Sequence, residues 1–341
     1  MAEVEIKTIR VGLIGPGSIA DERLIPALAK IAGAVFWSVL GRDQQKAEKF
    51  AEKHGAKSAQ AAFSDLGTFL ADPELDAVII ASPDKLHAQQ AIACAKAGKH
   101  VFVEKPLATS AEDARAIVAA CKAAKVKLTV GYHLRYHAGH RKVKLLLGEN
   151  PAQSPIGIIR HINVSWTMQA KQADWRADDK LGQWWSLAAL GTHSLDLVTW
   201  LTGKDKVKES SCVVSSPVFG SAHDETSVVA LVFESGITAQ ILSSVVFRAP
   251  RVVEIFGSKG VIRCLETLGP RGTGTITVNG EEMPFDPVDP YQGELQDFIV
   301  SVAANQEPSV TGDEGADNVA LLEQFAQQVS QRRAAASEGL A

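Results

Sequence analysis

A lysine and a histidine, far apart in the chain, have side chains suited to chemistry on a hydroxyl group. Lys105 follows the apolar run Val101–Val103 and precedes a proline, and His193 lies in a helical stretch of the second half. An imidazole exchanges a proton near neutral pH, and an ammonium group stabilises charge developing on an alkoxide oxygen. The pair would suit a reaction in which a carbinol carbon loses a hydride and its hydroxyl loses a proton. The alternatives are a surface lysine and a histidine that only stabilises its helix.

A glycine-rich turn near the start of the chain has a phosphate-binding pattern. Gly15-Pro16-Gly17-Ser18-Ile19-Ala20 fits G-x-G-x-x-G/A and directly follows an apolar run. The first glycine permits a tight turn, the second lets the backbone approach a pyrophosphate, and the small last residue lets helix and strand pack closely. Phosphates would then bind the free N–H groups of the following helix. We therefore expect a dinucleotide to contact Gly15, Gly17, Ser18 and Ile19.

The end of the second apolar run indicates which dinucleotide binds. An NAD enzyme places a carboxylate there, whereas an NADP enzyme needs a cation. Gly41 leaves room, Arg42 can bind a 2′-phosphate through its guanidinium group, and Asp43 is placed to cap the next helix. The sequence therefore favours NADP over NAD. The alternative is that Arg42 is a solvated side chain at a helix start.

Short apolar strands alternate with alanine-rich helical segments over the first part of the chain. The predicted strands are residues 9–14, 34–40, 77–81, 101–103 and 128–130. Near-continuous apolar strands separated by amphipathic helices are what a parallel sheet buried on both faces requires. We predict a doubly wound, nucleotide-binding Rossmann domain over residues 1–130.

After Gly131 the apolar residues alternate with polar ones, and glycine turns separate the runs. The predicted strands are residues 158–166, 226–233, 237–247, 251–256, 261–265 and 275–278, with helices at 140–147, 184–201, 292–304 and 315–333. A period of two with tight turns indicates antiparallel strands. We predict a second α/β domain over residues 131–341, with a large, mostly antiparallel, open-faced sheet. Its last helix is placed to pack back on the first domain.

Two further motifs give the chain a family resemblance. The turn Ser82-Pro83-Asp84-Lys85-Leu86-His87 ends one predicted strand, and Glu104-Lys105-Pro106 ends the next. With the glycine fingerprint, Gly131-Tyr132 and the G-x-H-x-x-D pattern from Gly191 to Asp196, the chain resembles the glucose–fructose oxidoreductase / inositol dehydrogenase / rhizopine-catabolism (Gfo/Idh/MocA) family. The resemblance extends over essentially the whole chain.

The resemblance implies a dehydrogenase or reductase that uses NAD(P) and acts on a sugar, anhydro-sugar or cyclitol. It implies that Lys105 is the catalytic lysine, that His193 touches the reacting hydroxyl, and that a cis bond can precede Pro106. It also implies that the second-domain sheet forms the interface of a homodimer or homotetramer. The residues expected beside the nicotinamide on this basis are Ser82, Pro83, His87, Glu104, Lys105 and Pro106.

The sequence departs from the family pattern four residues before His193. The family commonly reads D-x-G-x-H, and its Asp pairs with the histidine, whereas this chain has Ala189. Removing the carboxylate removes the group that would orient the imidazole and raise its basicity. Three interpretations remain open: Lys105 is the main acid/base, another residue replaces the Asp, or the protein is a poor catalyst. Asp196 shares roughly the helical face of His193 and is interpreted as a supporting group.

The missing carboxylate also keeps another class of function open. The same fold hosts non-catalytic NADP-binding sensors or regulators of sugar pathways, and Lys105 and His193 argue against that alternative because a sensor needs neither. A further alternative is a tightly held coenzyme that is recycled between two sugars.

Several residues of the second half are candidates for substrate binding. Tyr132, His133 and Arg135 directly follow the last predicted strand of the first domain, where a crevice floor is expected. The faces of Trp166 and Trp175 suit the apolar faces of sugar rings, and packing in a core or interface is the alternative. The substrate-binding residues predicted are Tyr132, His133, Arg135, Trp166, Trp175, Arg176 and Asp196. His133, His137 and His140 recur at helical spacing, but we predict no metal site because no acidic partner lies nearby.

Composition limits the partners and the compartment. The 35 basic and 39 acidic residues give a formal net charge of −4 without long runs of one sign, which argues against nucleic-acid and anionic-membrane partners. The four cysteines have no zinc or disulfide spacing and are expected to be reduced thiols. We find no signal-peptide pattern and no apolar window long enough for a membrane span. A cytoplasmic protein is therefore expected.

Overall fold

Residues 8–148, 150, 153–203 and 205–338 are described by the structure, which is a computed structural model. The chain separates into two compact units. The first unit extends to Tyr132 and also includes Tyr291–Asp317, and the second consists of His133–Pro290 and the residues from Asn318 onward. The predicted limits at residues 130 and 131 assigned Tyr291–Asp317 to the second domain, and those limits stay a prediction.

The first unit contains a six-stranded parallel sheet with the order β3-β2-β1-β4-β5-β6. Its strands are β1 (Ile9–Ile14), β2 (Ala34–Leu40), β3 (Ala62–Phe63), β4 (Ala77–Ile80), β5 (His100–Val103) and β6 (Leu128–Val130). Successive residues of β4 such as Val78 and Ile79 are both fully buried. Because neighbouring side chains point to opposite faces, both faces of the sheet are covered, and the predicted Rossmann sheet is confirmed.

Helices connect these strands, and several begin at the polar caps that the sequence supplies. They are α1 (Ile25–Leu28), α2 (Gln44–His54), α3 (Leu66–Leu70), α4 (His87–Lys96) and α5 (Ala111–Ala124). The Asp43 carboxylate accepts a bond of 3.1 Å from the Lys46 N–H, and the Ser110 hydroxyl accepts one of 3.1 Å from the Asp113 N–H. These side chains satisfy N–H groups that have no partner within their own helix.

The strand order places a crevice at one point of this sheet. The chain proceeds outward in both directions from β1 and β4, so the connections after these two strands lie on opposite faces. Ligands of doubly wound folds bind outside the carboxyl ends of strands at such a switch point. The register places Ile14 beside Ile80, and Ile80 beside Val103, so the residues that follow these strands line one edge.

The second unit contains an eight-stranded sheet with the order β14-β13-β12-β11-β7-β10-β9-β8. Its strands are β7 (Ile159–Thr167), β8 (Val207–Ser215), β9 (Thr226–Phe233), β10 (Thr238–Ser244), β11 (Val252–Gly257), β12 (Val261–Leu265), β13 (Thr275–Val278) and β14 (Glu281–Glu282). The pair β7 and β10 is parallel and the other pairs are antiparallel, which confirms the mostly antiparallel prediction.

The two faces of the second sheet differ in burial. Ile162, Val164 and Ile241 point to a fully covered face, whereas alternate residues such as His161 and Leu242 are half-buried. The π-helical turn Leu187–Gly191 and the helix that continues from it pack on the covered face. The other α-helices among the described residues are α6 (Ala138–Leu147), α7 (Thr192–Thr202), α8 (Pro290–Ala304) and α9 (Gly312–Glu338).

The edge strand β8 was missed by the sequence analysis. Only Cys212 of this strand is buried, and its other residues are exposed or half-buried. A strand at the edge of a sheet with one open face lacks the clear alternation that identifies a strand. Among the described residues, no helix is both long enough and apolar enough to cross a membrane.

Candidate active site

The glycine-rich turn after β1 is shaped for a close backbone approach. Gly15 has φ of +89°, and a Cβ atom there would lie 2.6 Å from the backbone nitrogen of Ser82. A Cβ atom at Gly17 would instead have no other atom within 4 Å. The Gly17 N–H donates to the Gly15 carbonyl at 2.8 Å, and the helical turn that follows begins at Ser18. The open space above Gly17 and the N–H groups of a first helical turn fit a dinucleotide pyrophosphate.

The end of β2 lies beside this turn. Gly41 is buried, and a Cβ atom there would lie 3.2 Å from the side chain of Pro16. Arg42 is exposed, while the Asp43 carboxylate accepts the N–H of Lys46 and so caps α2. The predicted helix-capping role of Asp43 is therefore confirmed. Two charged side chains therefore follow this strand: the exposed Arg42 guanidinium and the Asp43 carboxylate that caps α2.

The turn after β4 folds around a fully buried histidine. Pro83 opens a 3₁₀ turn over Asp84–Leu86, and His87 then begins α4. The Ser82 hydroxyl donates to the Gln90 side-chain oxygen at 2.6 Å. The two ring nitrogens of His87 each lie 2.9 Å from a backbone carbonyl oxygen, Nε2 from that of Ser82 and Nδ1 from that of Pro106. His87 was predicted beside the coenzyme, and the structure places its ring between two loops.

The loop after β5 carries Lys105. The Glu104 N–H donates to the Ile80 carbonyl at 2.8 Å, and the Lys105 N–H lies 3.2 Å from a Glu104 carboxylate oxygen, which accepts it. The bond from Lys105 to Pro106 is cis. A Cβ atom at Gly131 would lie 3.2 Å from Glu104 Oε1, so the glycine after β6 gives the carboxylate its space. Lys105 is half-buried at the edge of the sheet where Gly15 and Ser82 meet.

In the second unit, three predicted site residues lie together. The ring centroids of His193 and His133 are 4.6 Å apart at 78°, and those of His193 and Trp166 are 5.5 Å apart at 31°. All three side chains are buried. His193 is therefore held between an imidazole and an indole.

An ion pair orients the helix that carries His193. Arg135 Nη2 donates to one Asp196 oxygen at 2.6 Å and Nε to the other at 2.9 Å, and both side chains are buried. This fork-to-fork geometry fixes both partners, and losing one would leave an unpaired buried charge. The amide of Asn318 also donates to the Thr192 carbonyl at 3.1 Å and accepts from the Thr192 hydroxyl at 2.9 Å. Asp196 thus supports the helix through Arg135.

Asp224, a residue that was not predicted from the sequence, anchors the start of the same helical run. Its carboxylate accepts from the N–H groups of Trp185 and Leu187 at 3.0 and 2.7 Å and from the Ser186 hydroxyl at 2.5 Å. Burial raises the pKa of this carboxyl, and the bonds from Ser186, Trp185 and Leu187 oppose that rise. The Asp224 cap explains why the helical run begins at Leu187 and not at the predicted residue 184.

Ala189, where the family pattern has an Asp, lies in the π-helical turn before His193. Its N–H donates to the Trp185 carbonyl at 2.8 Å. Asp224 is the carboxylate that the fold brings to this run, and it binds backbone N–H groups there. No local signal marks Asp224, because it is 35 residues further along the chain than Ala189.

Substrate binding was also predicted for Trp175, Arg176 and Tyr132. Trp175 and Arg176 stack on each other, with the guanidinium carbon 4.0 Å from the indole centroid, in the loop after β7. Asp174 caps this loop by accepting the Arg176 N–H at 2.8 Å. Tyr132 is fully buried.

The two histidines near His133 have structural partners. The His137 Nδ1 accepts N–H groups at the start of α6, and the His140 ring bonds the Leu134 carbonyl at 3.0 Å and the Thr267 hydroxyl at 2.9 Å. Burial lowers the pKa of both rings, that of His140 to about 3. In the described ranges, no group of three or more His, Cys, Asp or Glu side chains could hold a metal ion.

Two family models match the chain. Residues 9–132 match an oxidoreductase family with an NAD-binding Rossmann fold, and residues 151–263 match the GFO/IDH/MocA C-terminal domain. These two matches cover both predicted motif regions, including the turns that carry Gly15 and Lys105 and the helix that carries His193.

Individual proteins resemble the chain over most of its length. A 1,5-anhydro-D-fructose reductase of Ensifer adhaerens is 29% identical over 90% of this chain and 92% of its own. A myo-inositol 2-dehydrogenase of Thermotoga maritima is 27% identical over 92% and 93%. The fold is similar to that of the aldose-aldose oxidoreductase of Caulobacter crescentus, with a TM-score of 0.86, 23% identity and coverage of 95% and 98%.

Proposed function

Because this chain belongs to the GFO/IDH/MocA oxidoreductase family, we propose that it transfers a hydride to or from the hydroxyl- or keto-bearing carbon of a sugar, anhydro-sugar or cyclitol. The chain is an oxidoreductase with an NAD(P)-binding Rossmann fold. Relatives that act on 1,5-anhydro-D-fructose and myo-inositol support this substrate class. The observation that carries the proposal is the position of Lys105 after β5, at the sheet edge where the glycine turn meets Ser82.

Lys105 is proposed as the catalytic cation. The main chain on its amino side is bonded to β4 through Glu104 and Ile80, so the backbone at Lys105 is fixed relative to the switch point. An ammonium group there would stabilise the charge on a substrate oxygen as the hydroxyl proton leaves. A bound nicotinamide coenzyme supplies the hydride or accepts it.

His193 is proposed to exchange the proton of the substrate hydroxyl. Its ring is fixed by the neighbouring rings of His133 and Trp166, and its helix is fixed through Asp196 and Arg135. A ring held in one orientation presents its nitrogen atoms in constant directions, which general acid–base catalysis requires. Trp166 and Arg135 therefore support the site even where they do not touch the sugar.

NADP is proposed as the preferred coenzyme. Support comes from the end of β2, where the exposed Arg42 is available to a 2′-phosphate and Asp43 is engaged in capping α2. A ribose of NAD would need a carboxylate at this strand end. NAD remains the alternative coenzyme.

A homodimer or homotetramer is proposed to form through the outer face of the second-unit sheet. Support comes from half-buried apolar side chains on one face: Val228 of β9 pairs with Leu242 of β10, and Phe256 lies on β11, on the other side of β7. Neighbouring apolar residues on one open sheet face are typical of a surface that another subunit covers.

The test of the proposal is a turnover assay with a Lys105 variant. NADP⁺ is mixed with D-glucose or myo-inositol, and NADPH with 1,5-anhydro-D-fructose, while the absorbance of reduced nicotinamide is followed. We expect turnover of at least one probe, and a loss of about 100-fold or more in Lys105→Met with coenzyme affinity within a few-fold of wild type. Lys122→Met, an exposed lysine of α5, is the control and should keep full activity.

Two results would contradict the proposal. Full turnover by Lys105→Met would remove the lysine from the chemistry. Tight NADP binding without turnover of any probe in either direction would support the regulator alternative.

A further inference from the structure

His87 joins two loops that each follow a different strand. Its side chain is fully buried, with Nε2 2.9 Å from the Ser82 carbonyl after β4 and Nδ1 2.9 Å from the Pro106 carbonyl after β5. A carbonyl oxygen can only accept, so a neutral imidazole, which has one N–H, donates to one of the two carbonyls, and the doubly protonated ring donates to both. The ring therefore ties together backbone segments that are 24 residues apart in sequence.

The carbonyls of Ser82 and Pro106 lie close in sequence or in space to two parts of the proposed site, Lys105 and the glycine turn. Lys105 immediately precedes Pro106, and Glu104 on its other side is bonded to the last residue of β4, Ile80. The lysine is thus tied to β4 and its turn from both sides. The Ser82 residue also contacts the glycine turn, because a Cβ atom at Gly15 would lie 2.6 Å from the Ser82 backbone nitrogen.

We propose that His87 is a positioning residue that sets the backbone at Lys105 relative to the glycine turn. Its ring does so by bridging the Ser82 and Pro106 carbonyls at the carboxyl ends of β4 and β5. Its catalytic consequence rests on the proposed function of Lys105. A displacement of about 1 Å in a reacting group can lower a rate about 100-fold, so a fixed loop has a direct effect on turnover.

A matched clamp at the other end of the same two strands provides the control. Lys99, just before β5, is also buried, and its ammonium group donates to the carbonyls of Asp72 and Leu75 at 2.7 and 2.8 Å. These carbonyls precede β4. Lys99 therefore joins the amino ends of β4 and β5 as His87 joins the carboxyl ends, and it lies away from Lys105 along the strands.

The first experiment measures amide hydrogen exchange and needs no substrate. In His87→Phe, which keeps a ring but no donor, we expect the peptide over residues 104–110 to exchange at least about tenfold faster than in the wild type. In Lys99→Met the same peptide should exchange at the wild-type rate, although the melting temperature falls. His87→Gln retains a donor and should recover part of the protection. Equal exchange of this peptide in His87→Phe and Lys99→Met would overturn the proposal.

The second experiment uses the probe that the wild-type protein turns over fastest. We expect His87→Phe to lose about 10- to 100-fold in kcat, with partial recovery in His87→Gln and no change in Lys99→Met. The isotope effect on kcat, measured with deuterium in place of the transferred hydride, should rise in His87→Phe, because a misplaced lysine slows the hydride step. A variant His87→Phe with wild-type kcat would overturn the catalytic consequence. If instead Lys105→Met keeps full turnover, the proposed function fails, and the exchange result still tests the cross-link.

Discussion

At the scale of single residues, the coenzyme preference depends on one guanidinium group. Arg42 is exposed at the end of β2, and the neighbouring Asp43 carboxylate accepts the Lys46 N–H and so caps α2. A charge-assisted hydrogen bond contributes about 1.5–3 kcal/mol, which corresponds to about 10- to 100-fold in affinity.

We therefore expect Arg42→Ala to lower kcat/KM for NADP about 10- to 100-fold and to leave kcat/KM for NAD nearly unchanged. Steady-state kinetics with both coenzymes measure the ratio. Arg333→Ala, another exposed arginine far along the chain, is the control and should keep the wild-type ratio. An unchanged ratio in Arg42→Ala would show that the 2′-phosphate is bound elsewhere or that NAD is the coenzyme.

A second residue-scale prediction concerns His140, whose pKa is lowered to about 3 by burial, with a further contribution from the charge of His137. The ordinary pKa is 6.5, so between pH 6.5 and about 3 the unfolded chain binds a proton that the folded chain does not. The free energy of unfolding must then decrease as the pH falls through this window. At about 1.4 kcal/mol per pKa unit, the full loss reaches at most about 5 kcal/mol.

The measurement is urea unfolding at several pH values between 7 and 4. His140→Gln can still donate and accept, but it does not titrate, so its unfolding free energy should fall less steeply with decreasing pH. Parallel curves for the wild type and the variant would show that His140 does not contribute to the acid sensitivity.

At the scale of elements, the edge strand β8 is covered by side chains of α9. The Gln328 amide donates to the Ser210 carbonyl at 3.1 Å and accepts the Cys212 N–H at 3.2 Å. Arg332, one helical turn later, donates to the Cys212 carbonyl at 2.7 Å. Gln328 thus occupies the hydrogen-bonding position of a neighbouring strand. An uncovered edge is a template for pairing with another chain.

We expect the double variant Gln328→Ala, Arg332→Ala to lose about 1–3 kcal/mol of stability, at about 1 kcal/mol per hydrogen bond. It should also aggregate more readily on heating, in a concentration-dependent way that light scattering detects. Gln327→Ala, an exposed residue of the same helix, should behave as the wild type. If the double variant stays as soluble as this control, the contacts with α9 do not protect the edge.

At the scale of the whole molecule, the proposed assembly uses the outer face of the second-unit sheet. Leu242 lies near the middle of this face on β10, between β7 and β9 in the sheet order. A carboxylate placed there would have to be desolvated in a subunit interface, which costs several kcal/mol without a partner.

We expect light scattering after size exclusion to give a multiple of 36.4 kDa for the wild type and a smaller species for Leu242→Glu. Leu145→Glu is the control, because Leu145 on α6 is 80% exposed and lies on a helix outside that face. A monomeric wild type, or an unchanged mass in Leu242→Glu, would contradict this interface.

Local sequence patterns were enough to predict the parallel sheet, the glycine turn, the family motifs and most strands of the second sheet. These features follow from local patterns: apolar runs such as Val101–Val103 form buried strands, and Gly15 is required by a backbone with positive φ. The residues proposed for catalysis, Lys105 and His193, were identified in the same way, because their motifs are short and contiguous. Their roles stay proposals until the variants are measured.

The contacts between distant parts of the chain could be identified only from the fold. The bond between His87 and the Pro106 carbonyl, the Asp224 cap of the His193 helix, and the cover of β8 by Gln328 all join segments separated by at least 19 residues. A hydrogen bond of this kind leaves no periodic signal, because either partner can be any polar group that the fold brings within reach. For the same reason the polar edge strand β8 was missed, since its stability depends on one paired neighbour and on a helix more than 100 residues later.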